Sequence, residues 1–186
     1  RLLGVSALVS AVPGLGFVFI SRGVLANIRR QLTSALYRVA LGHKNQCVIF
    51  QNQDDESEII NLARISQIKT AIIPGSGVDL SLFTSIAPNK GMPIVLLACR
   101  LLVDKGVREF VHSATLVNEK FIRARFIVVG DPDPSNPATI TPNEVRQWKK
   151  LGDVEFWGYR SEMHEILRLA HIVALPSYRE GSPKVL

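Results

Sequence analysis

Ala174-Leu175-Pro176-Ser177-Tyr178-Arg179-Glu180-Gly181-Ser182-Pro183-Lys184-Val185-Leu186 ends the 186-residue chain, and the rest is organised around its reading. The apolar run His171 to Leu175 is strand-like and stops at Pro176. A short polar loop follows and carries one acid, Glu180. Ser182 then suits a helix N-cap and Pro183 the first helical position. A carboxylate and the N–H groups of Gly181 and Ser182 would sit together at a helix start, where a polar, anionic ligand is favoured.

Upstream, strands and helices alternate. Ile94 to Cys99 is a continuous apolar run, as in a parallel sheet buried on both faces. Val107, Phe110, Val111, Ala114 and Val117 form a helical stripe. Phe126 to Val129 is a strand ended by Gly130-Asp131-Pro132. Thr141-Pro142-Asn143-Glu144 spells a capped helix start, and that helix runs to about Leu151. Val154 to Trp157 is a strand, Ser161 caps a helix to Ala170, and Ile172 to Leu175 is the last strand. This alternation predicts a right-handed parallel α/β sheet. Ligands in such sheets bind beyond the carboxyl ends of the strands. Arg100, Asp131, Tyr159 and Glu180 each follow a predicted strand, so all four are expected on one rim.

The first part of the chain is less regular. Leu2 to Ile20 has no charged residue, but Pro13, Gly14 and Gly16 interrupt it. A buried strand over Leu2 to Ser10 is the favoured reading, against a membrane span or a signal peptide. Val24 to Ala40 is helical, with Val24, Ile28, Leu32, Ala35, Leu36 and Val39 recurring at three and four. Arg22, Arg29, Arg30 and Arg38 accompany them, and no acid occurs before Asp54. Two readings stand for this helix: a basic amphipathic face resting on anionic lipid, or a solvated basic face on an ordinary core helix. Cys47 to Phe50 is a strand, Asp54-Asp55-Glu56 opens a helix with Ile59, Leu62 and Ala63 inward, and Thr70 to Ile73 is a strand. Pro74 to Pro93, rich in Gly, Ser and Pro, reads as a linker.

A hydrophobic fraction of 47% and a charged fraction of 20% describe a globular protein, not a disordered one. The net charge of +6 points to an anionic partner. No arginine-rich run with interleaved aromatics is present, which disfavours nucleic acid. Cys47 and Cys99 lie in apolar runs and read as buried free thiols of a reducing cytoplasm. No ligand spacing suggests a metal.

On these residues the chain resembles glycosyltransferase family 4, the retaining nucleotide-sugar enzymes of the GT-B fold. Arg100-Leu101-Leu102-Val103-Asp104-Lys105-Gly106 resembles the family's diphosphate clamp, and Ile73-Pro74-Gly75-Ser76-Gly77-Val78-Asp79 its interdomain segment. Val129-Gly130-Asp131 and Phe156-Trp157-Gly158-Tyr159 resemble two further loops, and Glu180 the first acid of its signature. The second acid would fall at position 188, so the resemblance implies an internal piece of a larger enzyme. It implies an α/β fold of two Rossmann-like parallel-sheet halves, both incomplete. Residues 1–73 would belong to the acceptor-side domain, 74–93 to the linker and 94–186 to the donor domain. Arg100, Lys105 and Glu180 would be catalytic. Gly130, Tyr159, Gly181, Ser182, Pro183, Val185 and Leu186 would bind the donor, and Gly14 and Gly16 would face the acceptor.

The chemistry is consistent with those assignments. Breaking a glycosidic bond to a diphosphate builds negative charge on the leaving oxygen, and fixed cations aimed there lower the barrier. Arg100 offers a planar fork and Lys105 a point charge. Asp131 reads more readily as a turn former before Pro132, and Tyr159 either stacks near a base or edges the core. His43, His112, His164 and His171 read as structural. The expected substrates are a nucleotide-sugar and a glycan or lipid-linked acceptor, with no cofactor, no metal and peripheral contact with an anionic inner membrane face. Two other classes stay open: a non-catalytic nucleotide- or phosphate-binding α/β module, and a membrane-surface adaptor built on Arg22 to Arg38.

Overall fold

The apolar run at Ile94 is the centre strand of a sheet. The computed structural model describes residues 4–15, 24–75, 77–87 and 90–185, with residues 24–26 as backbone only. Its elements are β1 (Leu8–Val12), α1 (Val24–Ala40), β2 (Gln46–Phe50), α2 (Gln53–Ala63), β3 (Thr70–Ile72), β4 (Ile94–Ala98), α3 (Val107–Glu119), β5 (Arg125–Val129), α4 (Pro142–Leu151), β6 (Val154–Gly158), α5 (Met163–Leu169) and β7 (Ile172–Val173). They fall into two units, Arg1–Gly77 with Glu180–Lys184, and Val78–Arg179 with Val185–Leu186.

In the second unit the order is β6-β5-β4-β7, all parallel. Side chains alternate between the faces of a strand, so both faces of this sheet need a cover. Leu97, Phe126, Val128 and Val154 point to one face and pack with Val107, Phe110, Val111 and Ala114 of α3. Leu96, Ile127 and Val129 point to the other and meet Ile166 of α5. Each fully buried side chain of this kind contributes about 1.5–3 kcal/mol, so β4 and β5 alone offset much of the chain entropy lost locally. The Thr141 cap is complete: its hydroxyl accepts from Glu144 N and the Glu144 carboxylate accepts from Thr141 N.

In the first unit the order is β1-β2-β3, again parallel, with Val9 beside Cys47 and Val48 beside Thr70. Val12, Leu15, Leu41, Val48, Phe50, Ile59 and Ala63 form its core. Asn52 caps α2 by accepting from Asp55 N at 2.7 Å. Glu56 is buried and accepts from the Thr70 hydroxyl, which ties α2 to β3.

Four local expectations are corrected. The strand expected over Leu2 to Ser10 is Leu8–Val12, because pairing begins at Leu8 opposite Gln46; residues 2 and 3 lie outside the described residues. It is an edge strand with alternately exposed side chains, so it is not fully buried. Ser161 does not cap α5, whose N-cap is Glu162; the Ser161 hydroxyl donates to the Glu162 carboxylate instead. No helix starts at Ser182. Lys184 and Val185, the last described residues, form a turn. Finally, the apolar stripe of α1 does not face the core. Ser34 and Leu41 are buried and Tyr37 packs inward, whereas Leu32, Leu36 and Val39 are 62%, 70% and 71% exposed. Among the described residues no helix is long and apolar enough to cross a membrane.

Candidate functional site

The order β6-β5-β4-β7 sets the carboxyl ends of four parallel strands side by side. Tyr159 follows β6, Gly130 and Asp131 follow β5, and Arg100 follows β4 after Cys99. These residues therefore share one rim. Backbone bonds continue past the strands and fix the exits: Cys99 N donates to Val129 O at 3.0 Å, Leu101 N to Asp131 O at 3.0 Å, and Gly130 N to Gly158 O at 2.9 Å. Gly130 is the tightest point. Its φ is +132, and a Cβ there would lie 1.9 Å from the Cys99 carbonyl oxygen. Only glycine fits, and the requirement comes from the backbone that carries Arg100. Tyr159 is exposed and sits on the rim, not in the core.

Arg100 has a partner that the sequence did not suggest. Its Nη1 donates to Asp133 Oδ2 at 3.0 Å. Asp133 lies in the proline-rich segment after β5. That segment is sewn onto the residues beyond Arg100 by Val103 N to Ala138 O at 2.8 Å, Ile140 N to Leu101 O at 2.8 Å, and a bridge between Leu102 and Thr139. The Ser135 hydroxyl, and behind it the Arg100 guanidinium, hold the Asp133 carboxyl below the usual carboxylate range. The Arg100 side chain is 63% exposed. An exposed pair of this kind is worth about 0–1 kcal/mol, so the fork can be handed to an incoming anion at little cost.

Lys105 ends a short 3-10 turn, Val103–Lys105, and its side chain is half-buried. Gly106 follows with φ +71 as the N-cap of α3. A Cβ at Gly106 would lie 2.2 Å from Pro176 O, so the loop after β7 rests directly on this glycine. The same loop is pinned again where Tyr178 N donates to Asp104 O at 3.0 Å and the Tyr178 hydroxyl donates to Glu109. That bond to Glu109 raises the Tyr178 phenol above its ordinary value.

Glu180 to Lys184 cluster with the first unit. There Asn52 Nδ2 donates to Gly181 O at 2.9 Å while its Oδ1 caps α2. A Cβ at Gly181 would lie 2.3 Å from Pro13 O. Glu180, Gly181, Ser182, Pro183 and Val185 are all half-buried. Gly14 is exposed with open space around it, whereas Gly16 and Leu186 lie outside the described residues. Asn52 was legible only as a polar loop residue; its position just before three acids is a capping signal that could have marked it.

Three of the four histidines have structural partners, and His112 is exposed on α3. His43 meets Asn45 O and Val5 O, and His171 Nδ1 accepts from Ile94 N at 3.1 Å. His164 packs edge-on against Phe83. Cys47 and Cys99 are not joined in a disulfide, and both are half-buried rather than fully buried. Among the described residues no group of His, Cys, Asp or Glu is arranged to hold a metal ion.

Comparison with known proteins agrees with this geometry. The chain is 33% identical over 185 residues to the N,N'-diacetylbacillosaminyl-diphospho-undecaprenol alpha-1,3-N-acetylgalactosaminyltransferase of Campylobacter jejuni, covering 92% of this chain and 46% of that protein. It thus spans about half the length of this curated relative. The crystal structure of WaaG, a glycosyltransferase involved in lipopolysaccharide biosynthesis, superposes with a TM-score of 0.71 at 17% identity, covering 93% of this chain and 51% of that one. Anabaena Alr3699/HepE in complex with UDP and glucose gives 0.67 at 18% identity, covering 94% and 47%. At these identities the structures show the fold, two parallel α/β sheets of GT-B type. Residues 92–186 match the family Glycosyl transferases group 1. This chain belongs to the group 1 glycosyltransferases.

Proposed function

We propose that this chain is part of a retaining, metal-independent hexosyltransferase. It moves a sugar from a nucleotide-sugar to a glycan or lipid-linked acceptor in bacterial surface polysaccharide or glycolipid synthesis. The observation that carries the reading is Arg100: a guanidinium at a parallel-strand exit, tied through Nη1 to Asp133, whose Nε and Nη2 bond no other described residue and would meet phosphate. In the proposed reaction the bond from the anomeric carbon to the phosphate oxygen breaks. The acceptor oxygen bonds that carbon from the same face, and its proton passes to the departing phosphate. Arg100 and Lys105 stabilise the charge that grows on the diphosphate. Glu180 accepts hydrogen bonds from donor sugar hydroxyls, and Tyr159 stacks near the base. The Campylobacter relative is named for a diphospho-undecaprenol-linked sugar, which supports a lipid-linked acceptor. The Anabaena structure was solved with UDP and glucose, which supports a nucleotide-sugar donor.

The same reading gives α1 a role. Its outward stripe of Leu32, Leu36 and Val39 has Arg29 at its edge, the composition of a helix lying on anionic lipid at the inner membrane face, while Arg38 turns to α2, where its Nε donates to Leu62 O.

Calorimetric titration of the full-length protein with UDP and UMP tests the donor assignment. UDP should bind more tightly, and Arg100→Ala with Lys105→Ala should remove that preference. Equal affinities for UDP and UMP in the unsubstituted protein would refute it.

A further inference from the structure

Helix α3 ends at an unusual cap. Phe121 N donates to Asn118 O at 2.9 Å and Ile122 N to Val117 O at 3.4 Å, the double bond of a helix end closed by a left-handed residue. Glycine normally occupies that position, because a side chain there crowds its own backbone. Here the residue is Phe121, with φ +58. Its ring gains nothing from the fold in return, being 93% exposed. A bulky residue held in a disfavoured conformation and projected into solvent points to a role outside folding.

The neighbours of Phe121 say what it meets. Thr115 and Asn118 donate to the two oxygens of Asp153 at 2.7 and 2.8 Å, which brings the end of α3 beside the end of α4. Ile122 and Leu151 are also exposed there. Lys120 and Arg123 flank this turn in the sequence and Lys149 and Lys150 precede Leu151, all exposed, and none makes an ion pair or side-chain hydrogen bond with a described residue. Asp153 is spent on its two internal donors, which leaves Glu119 as the exposed acid of these two helix ends. The turn precedes β5, and Leu151 precedes β6. The cluster is therefore at the amino ends of the strands, away from Arg100, Asp131 and Tyr159.

We infer that the Lys120–Arg123 turn, with Lys149, Lys150 and Leu151, is a docking edge for an anionic membrane surface. An aromatic tip with aliphatic neighbours suits the headgroup boundary, and unpaired cations around it complement acidic lipid. Engaging this edge leaves the rim of the sheet open. The inference does not depend on sugar transfer, because vesicle binding is read without donor or acceptor.

Co-sedimentation of the full chain with phosphatidylglycerol–phosphatidylcholine vesicles, against phosphatidylcholine alone, tests it. Leu32→Ser with Leu36→Ser first removes the α1 face. That protein should still sediment with the acidic vesicles and not with the neutral ones. Adding Phe121→Gly should weaken partitioning about tenfold, the loss of a partly buried phenyl ring. Lys149→Ser with Lys150→Ser should weaken it about fivefold per cation. The Phe121→Gly protein should melt no earlier than its parent, which separates lost binding from lost folding. Partitioning unchanged by Phe121→Gly, equal binding to neutral vesicles, or no vesicle binding once α1 is silenced would each overturn the inference. The last result would leave an acidic macromolecule as the occupant of this edge.

Discussion

Replacing Gly130 by alanine should damage the second unit far more than one methyl group ordinarily does. The new Cβ would lie 1.9 Å from Cys99 O and 2.9 Å from Cys99 C, so that carbonyl must retreat by about 1 Å. The carbonyl is backbone, clamped because Cys99 N donates to Val129 O and Leu101 N to Asp131 O. It has no rotamer to change. A φ of +132 adds its own cost for any side chain, about 1–3 kcal/mol. Overpacking adds about 1–3 kcal/mol more. The total, about 2–6 kcal/mol, is a large share of the 5–15 kcal/mol that typically stabilises a domain. Gly152→Ala is the matched control, since Gly152 has φ +80 but open space around it, and should cost only about 1 kcal/mol. Gly106→Ala should behave like Gly130→Ala, because its Cβ would meet Pro176 O at 2.2 Å. Urea unfolding followed by tryptophan fluorescence reads this unit selectively, as both tryptophans, Trp148 and Trp157, lie within it. If Gly130→Ala costs no more than Gly152→Ala, the close approach at the β4 exit is wrong.

The other substitutions probe single interactions in the same unit. Phe121→Gly should stabilise it by about 1 kcal/mol, because it relieves left-handed strain and exposes nothing new; a lower urea midpoint would contradict that. Thr141→Ala should cost about 1 kcal/mol by opening the cap of α4, read in the same melts. On acidification the unit should hold its stability down to the ordinary carboxylate range and lose it below. Asp153, held low by Asn118 and then Thr115, and Glu155, held low by Arg125, have depressed folded values, so their contributions vanish as pH falls through those values. Asp153→Asn should flatten that acid limb, and a limb of unchanged steepness would assign it to other groups.

Much of the second unit was legible because its strands are buried on both faces and its helices carry ordinary start signals. Thr141-Pro142-Asn143-Glu144 marks a helix start that the structure realises with both capping bonds. Ser161 misled, because a hydroxyl before a helix can bond the neighbouring Glu162 side chain instead of the helix backbone. In α1 the period was right, and of its two readings the one that made it an ordinary core helix failed. Periodicity reports that one side is apolar, not which side meets the core, and here buried Ser34 bonds Arg30 O while the leucines look outward. Arg100, Asp131 and Tyr159 could be placed together because each follows a parallel strand. Asp133, Tyr178 and the bond from Asn52 to Gly181 could not, since those partners come from distant chain segments that no local pattern names.

The central claim is that Arg100 acts on charge created as the donor breaks down. In the full-length enzyme, kcat for sugar transfer and Kd for the intact nucleotide-sugar should be measured for Arg100→Ala. A guanidinium aimed at the departing diphosphate predicts a loss in kcat of about a hundredfold or more, with donor affinity weakened by about tenfold. Equal losses in both, or a loss in affinity alone, would contradict the claim and leave a site that only binds.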